Sequence, residues 1–125
     1  MPVYLDIDQL ARVVMIVAHG EVTNDDIRKT VQELLAADVP AFAKIIDTSA
    51  AATRETLDQV AEIARLLREG AGNQPRGPVA CVVDARRPGF AEALAEQSAA
   101  DRPIRLFTSL REARRWIDET KQDRR

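Results

Sequence analysis

Two aspartates directly follow apolar runs that are typical of buried strands. Asp47 follows the run Phe42–Ile46, and Asp84 follows Val79–Val83. In a parallel α/β sheet, the carboxyl ends of the strands meet at one edge, where ligands and modifications usually lie. If the two strands are neighbours, the two carboxylates could hold Mg²⁺ or share a proton. The structural alternative is that each aspartate accepts hydrogen bonds from backbone N–H groups of the following loop.

Three hydroxyl side chains follow Asp47 and could carry a phosphate. Thr48 and Ser49 come directly after it, and we expect a second helix to begin near Thr53. A phosphate on Thr53 would be stabilised by the free N–H groups and the dipole of the helix N-terminus. The alternative is simple N-capping, which is the commoner role of threonine at that position.

Basic residues also follow the second of these strands. Arg86 and Arg87 lie on the same predicted edge as Asp84 and could recognise an anionic ligand or a phosphorylated partner. They could equally form surface ion pairs, which contribute little. The single histidine, His19, and the single cysteine, Cys81, cannot supply the usual ligand set of a zinc site. Cys81 lies inside an apolar run, so we expect a small buried side chain and no disulfide.

The composition indicates one globular domain. The chain has 125 residues, of which 46% are hydrophobic and 30% charged. We expect residues 1–120 to form the domain and 121–125 to be a basic, disordered tail. The net charge of −2 disfavours nonspecific nucleic-acid binding, which needs a concentrated basic face. No apolar run reaches the about 20 residues that a membrane span needs. We therefore expect a cytoplasmic protein that does not span the membrane.

Hydrophobic periodicity predicts the elements that position these residues. The predicted strands are Val3–Ile7, Ala11–Ala18, Phe42–Ile46, Val79–Val83 and Ile104–Phe107. Helices are predicted after Thr23, Thr53, Pro88 and Ser109, with Gly20 ending the second strand and Gly70 capping the second helix. The resulting order β-β-α-β-α-β-α-β-α indicates an α/β fold, a mixed sheet of about five strands with four helices. The first two strands form an antiparallel hairpin, and the right-handed crossover rule makes the last three parallel.

Three segments of the chain are similar to a known family: Gly20–Asp26, Ile45–Ser49 and Ile104–Ile117. On these segments the chain resembles the SpoIIAA-like, STAS-type domains (sulfate transporter and anti-sigma factor antagonist), in the branch of small bacterial proteins labelled STAS/SEC14. In STAS antagonists, a kinase phosphorylates a serine in an Asp-Ser-Ser-Gly segment at the start of the second helix. Here that region reads Ala51-Ala52-Thr53-Arg54-Glu55-Thr56, so the serine–glycine signature is absent and Thr53 is the nearest hydroxyl.

The resemblance implies a non-enzymatic regulatory or protein-interaction module, with a kinase or an anti-sigma-type regulator as its partner. Its working surface would be the edge formed by Asp47–Thr53 and Asp84–Pro88. The alternative is a domain that binds a small apolar or anionic molecule or a lipid, which needs a hydrophobic cavity of several hundred Å³. An enzyme ranks third, because it would need one pocket that holds Asp47, Asp84 and His19 together. We predict no cofactor or metal. A homodimer is compatible with the size of the domain, but no residue pattern identifies its face.

Overall fold

The computed structural model describes residues 3–53, 57–72, 74, 76–84, 86, 95–96 and 103–123. Its strands are β1 (Val3–Asp8), β2 (Val13–Val22), β3 (Ala43–Thr53), β4 (Val79–Val82) and β5 (Ile104–Phe107). Its helices are α1 (Asn24–Ala37), α2 (Leu57–Ala71) and α3 (Leu110–Asp123). The helix predicted after Pro88 lies mostly outside the described residues, although Ala95 and Glu96 are helical.

The strands form one mixed sheet in the order β1-β2-β3-β4-β5. β1 is antiparallel to β2, and every other neighbouring pair is parallel. This arrangement confirms the predicted α/β class, the N-terminal hairpin and the parallel last three strands. It also places β3 and β4, the strands that carry Asp47 and precede Asp84, side by side in the sheet.

Helices cover both faces of this sheet, so its central strands are buried on both sides. α3 packs on one face, where Ala113 and Ile117 contact a cluster that includes Ile45. α1 and α2 lie on the other face, where Leu34 and Leu67 pack in the cluster of Val14. All four residues of β4 are buried, as its uninterrupted apolar run predicts.

A capping box starts α1 where the sequence predicts it. The Thr23 hydroxyl accepts the N–H of Asp26 at 3.2 Å, and the Asp26 carboxylate accepts the N–H of Thr23 at 2.9 Å. The N–H groups of the N-cap and of the first turn have no carbonyl partner within the helix, and the capping box supplies acceptors for two of them. The helix ends before Pro40, as predicted, and its C-cap Asp38 adopts the left-handed conformation with φ of 53°.

β2 and β3 both run beyond their predicted ends. Gly20 does not terminate β2, because residues 19–22 pair with residues 50–53 of β3 and satisfy each other's backbone groups. Thr53 therefore lies in β3, the described part of α2 starts at Leu57, and the segment between them lies outside the described residues. The small residues of 49–52 favour a helix by local propensity, but strand pairing overrides that weak preference.

The ends of two helices also differ from the prediction. Gly70 is a helical residue of α2, and Gly72, with φ of 58°, is the left-handed glycine that follows the helix. α3 continues to Asp123, so it includes the first three residues of the segment expected to be a disordered tail. Within the described ranges, no helix has the length and apolar character needed to cross a membrane.

Candidate functional site

The structure brings most of the predicted site residues to one edge of the sheet. Asp47 lies opposite Val82, the last residue of β4, and Asp84 follows two residues later. Both aspartates therefore lie toward the same end of neighbouring strands. We call the group Asp47, Thr48, Ser49, Asp84 and Arg86 the β3–β4 edge.

A β-bulge interrupts β3 at this edge. Val17 of β2 pairs with Asp47, but the next pair is His19 with Ala50, so Thr48 and Ser49 together lie opposite Ala18. Asp47 is thus an internal residue of β3, not the residue after its end as predicted. Bulges re-aim side chains and are common beside functional sites. This bulge explains how Ser49 becomes exposed beside a half-buried aspartate.

The three residues of the bulge make specific hydrogen bonds. The Asp47 Oδ1 atom accepts the Ser49 N–H at 3.0 Å and the Ser49 hydroxyl at 2.6 Å. The Thr48 hydroxyl donates to the carbonyl oxygen of Val82 at 3.2 Å. Asp47 therefore holds the bulge closed, and Thr48 ties it to the end of β4.

Asp84 makes an equivalent hydrogen bond just beyond the end of β4. Its Oδ1 atom accepts the Arg86 N–H at 2.9 Å, and the Arg86 guanidinium donates to the carboxylate at 3.3 and 3.4 Å. The Arg86 side chain is 88% exposed, whereas that of Asp84 is 21% exposed. An ion pair of this exposure adds little stability. Its geometry nevertheless leaves a long cationic side chain at the surface of the edge.

These contacts favour the structural alternative for both aspartates. Each carboxylate accepts the N–H of the residue two positions later, which is the Asx-turn role that the sequence leaves open. Among the described residues, no group of three or more His, Cys, Asp or Glu side chains could hold a metal ion. The geometry therefore gives no support to Mg²⁺ binding by Asp47 and Asp84.

The other candidates have simpler environments. His19 is exposed on β2, opposite Ala50. Cys81 is fully buried in β4, and burial raises the pKa of its thiol to about 12, so this side chain is an apolar core group. Of Thr53 only the backbone is described, and Arg87 lies outside the described residues.

Sequence reasoning missed one buried charge. Lys44 is 6% exposed, and its Nζ atom donates to the carbonyl oxygens of Val39 and Phe42, both at 3.2 Å. A buried ammonium group needs such acceptors, and these tie β3 to the loop that follows α1. The signal in the sequence is a lysine between two core residues, Ala43 and Ile45, in a strand that is covered on both faces.

Two recesses differ strongly in size. The gap between α1, α2 and the side chain of Lys44 measures about 30 Å³, which is room for about one water. A larger cleft of about 210 Å³ opens between the β1–β2 hairpin and α3. Its lining is Asp6, Asp8, Ala11, Val13, Met15, Ile45, Arg114, Ile117 and Asp118. The cleft lies where β2 and β3 begin, and neither recess is lined by Asp47, Asp84 or His19.

Comparison with known proteins identifies the fold. No protein-family model and no curated protein matches the chain. Among solved structures, the chain is similar to an uncharacterized protein of the DUF3478 family from Shewanella loihica PV-4, which has a SpoIIAA-like fold. The likeness covers 92% of this chain and 91% of that chain, with 17% sequence identity and a TM-score of 0.60. The chain therefore has a SpoIIAA-like fold, which confirms the STAS-type resemblance at the level of architecture.

Proposed function

We propose that this SpoIIAA-like domain is a non-enzymatic interaction module and that the β3–β4 edge is its contact surface. The observation that carries the proposal is the bulge, which exposes Ser49 while Asp47 and Thr48 hold its backbone in place. A rigidly supported, exposed turn is suited to recognition, because little conformational freedom is lost on binding. The STAS-type resemblance implies a kinase or an anti-sigma-type regulator as the partner.

Of the candidate hydroxyls, Ser49 is the one that we propose for modification. Its side chain is exposed, whereas that of Thr48 is half-buried and donates to the Val82 carbonyl oxygen. A phosphate would add about 1.5 to 2 negative charges beside the Asp47 carboxylate, which lies 2.6 Å from the Ser49 oxygen. The resulting repulsion would break the hydrogen bonds that close the bulge. Phosphorylation would thereby change the shape of the edge as well as its charge.

The alternatives receive less support from the geometry. The gap of about 30 Å³ between α1 and α2 and the cleft of about 210 Å³ beside α3 are both below the several hundred Å³ expected of a lipid pocket. For catalysis, Asp47 and Asp84 are already engaged with backbone N–H groups, and His19 stands exposed on another strand. We therefore propose recognition, not chemistry, at the edge.

A site-specific cross-linking experiment in the native host tests the proposal. The exposed Arg86 is replaced by the photo-reactive residue p-benzoylphenylalanine, and a matched variant carries the same group at Gln32, which is exposed on α1. We expect one defined protein adduct from the Arg86 position, lost when excess unlabelled protein competes. Absence of an adduct, or the same adducts from Gln32, would contradict the proposal. Intact mass spectrometry of the unlabelled protein detects the about 80 Da increase of a phosphate, and loss of that increase in a Ser49→Ala variant assigns it to Ser49.

A further inference from the structure

We propose that the cleft between the β1–β2 hairpin and α3 binds a small organic cation, an ammonium group attached to a compact apolar body. This site lies apart from the β3–β4 edge, at the opposite ends of β2 and β3, and it does not depend on the function proposed for that edge. Three properties of the cleft support the assignment: its floor, its charge and its size.

The floor of the cleft is apolar. Ile45 and Ile117 are each 1% exposed, and Val13 and Met15 are half-buried beside them. The cleft exists because α3 packs over the centre of the sheet and leaves part of the same face of the β1–β2 hairpin uncovered. An apolar ligand body seated here would remove the remaining surface of Val13 and Met15 from water, which is favourable.

The walls of the cleft carry an excess of negative charge. Asp6 and Asp8 come from β1 and Asp118 from α3, against one cation, Arg114. In the described part of the chain, Asp6 and Asp118 form no ion pair with Arg114 or another cation within 4.0 Å. The formal charge around the cleft is −2, from three carboxylates and one guanidinium.

This charge decides which occupant fits. Two copies of the chain facing each other here would bring two clefts of formal charge −2 together, and like charges oppose association. An anion would meet the same repulsion, which argues against the anionic ligand considered from the sequence for this cleft. An organic cation is attracted by the walls and can bury its apolar part on the floor.

The volume limits the size of that cation. A dry cavity of about 150 Å³ accommodates benzene, and this cleft measures about 210 Å³. An arylalkyl ammonium ion therefore matches the space. Because the cleft is open to solvent and its carboxylates are exposed, we expect weak binding, with a Kd on the order of 1 mM.

Methyl NMR on the intact chain tests the proposal. The chain has two methionines, so ε-¹³C-methionine labelling gives two signals, and Met15→Leu identifies the one from the cleft. The probes are phenethylammonium, the neutral 2-phenylethanol and the anion phenylacetate. We expect phenethylammonium to shift the Met15 signal with a Kd at least about 5-fold below that of the alcohol, and phenylacetate to bind more weakly still.

Variants separate charge from folding. Asp8 Oδ1 accepts the Ala11 N–H at 3.0 Å, and Asp8→Asn keeps that oxygen while removing the charge. We expect Asp6→Asn with Asp8→Asn to abolish the preference for phenethylammonium over 2-phenylethanol, whereas Asp25→Asn, on exposed α1 surface, leaves it unchanged. The proposal is overturned if the Met15 signal does not respond to the probes or if all three probes bind equally. It is also overturned if the Met15 signal shifts on dilution of the protein without a probe, because a second copy of the chain would then occupy the cleft.

Discussion

Among the glycines that the structure describes, Gly77 is expected to give the most damaging change to alanine. Gly77 is buried in the loop that leads into β4, and its N–H donates to the carbonyl oxygen of Pro40 at 2.8 Å. A Cβ atom there would lie 2.4 Å from the Phe42 oxygen and 2.6 Å from the Ala41 oxygen. Both atoms belong to the backbone, so no side-chain rotation relieves the overlap.

The loss of stability can be estimated from the contacts that the added methyl group would break. Restoring ordinary contact separates the two loops enough to lose the Gly77–Pro40 hydrogen bond, which costs about 1 kcal/mol net, plus about 1–3 kcal/mol for the buried groups left unsatisfied. We therefore expect the free energy of unfolding to fall by about 3 kcal/mol, and the Tm to fall by roughly 10 °C. The pairing of β3 with β4 would loosen where the two strands begin, because the Pro78 carbonyl oxygen next to Gly77 accepts the Lys44 N–H of β3 at 2.9 Å.

Urea unfolding followed by the fluorescence of the single tryptophan, Trp116, measures this change. Gly72→Ala is the matched control, since Gly72 has a positive φ of 58° but no atom within 4 Å of the position that an added Cβ would take. Its cost should be only the about 1 kcal/mol of the left-handed backbone conformation. A loss at Gly77 equal to or smaller than that at Gly72 would refute the steric argument.

Four further changes have defined outcomes. Thr23→Ala should lower the free energy of unfolding by about 1 kcal/mol in urea titrations, through loss of the α1 cap. The hydrogen bond from the Thr23 N–H lowers the pKa of Asp26. The stability contributed by this carboxylate should therefore be complete above the unfolded-state pKa of about 4 and disappear as the pH falls through the lower folded-state pKa. Asp26→Asn should remove this pH dependence. Asp38→Asn should raise the Tm slightly, because it removes a negative charge at the C-terminus of α1 and suits the φ of 53°. Burial raises the pKa of Cys81 to about 12. Stability should therefore decline by up to about 1.4 kcal/mol per pH unit above the unfolded-state pKa of about 8.5, and Cys81→Ala should show a shallower decline.

Local patterns in the sequence were sufficient for most of the architecture. The apolar run of β4 predicts a strand buried on both faces, and the Thr23–Asp26 pair predicts the start of α1. Both signals are carried by neighbouring residues, so they need no knowledge of the rest of the chain. The order of strands and helices then restricts the sheet topology, because parallel strands need right-handed crossovers.

The details of the candidate site depend on contacts between distant segments. The bulge at Thr48 and Ser49 exists because β2 continues past Gly20 and pairs with residues 50–53, which no local pattern indicates. The same pairing places Thr53 in β3. Strand pairing satisfies the backbone N–H and C=O groups of both strands at once, and this outweighs the local helix propensity of a short Ala-rich segment.

The residue pattern predicts that Asp47 and Asp84 lie at one edge of the sheet, since both follow apolar runs that become neighbouring parallel strands. The hydrogen bond of each carboxylate to the N–H group two residues later appears only in the folded chain. The position of the acidic cleft likewise depends on the fold, because Asp6 and Asp118 lie near opposite ends of the chain and become neighbours only when α3 packs on the sheet. Two side chains so far apart in the sequence become neighbours because α3 buries its apolar face against the sheet. That packing depends on the whole fold and not on any local pattern.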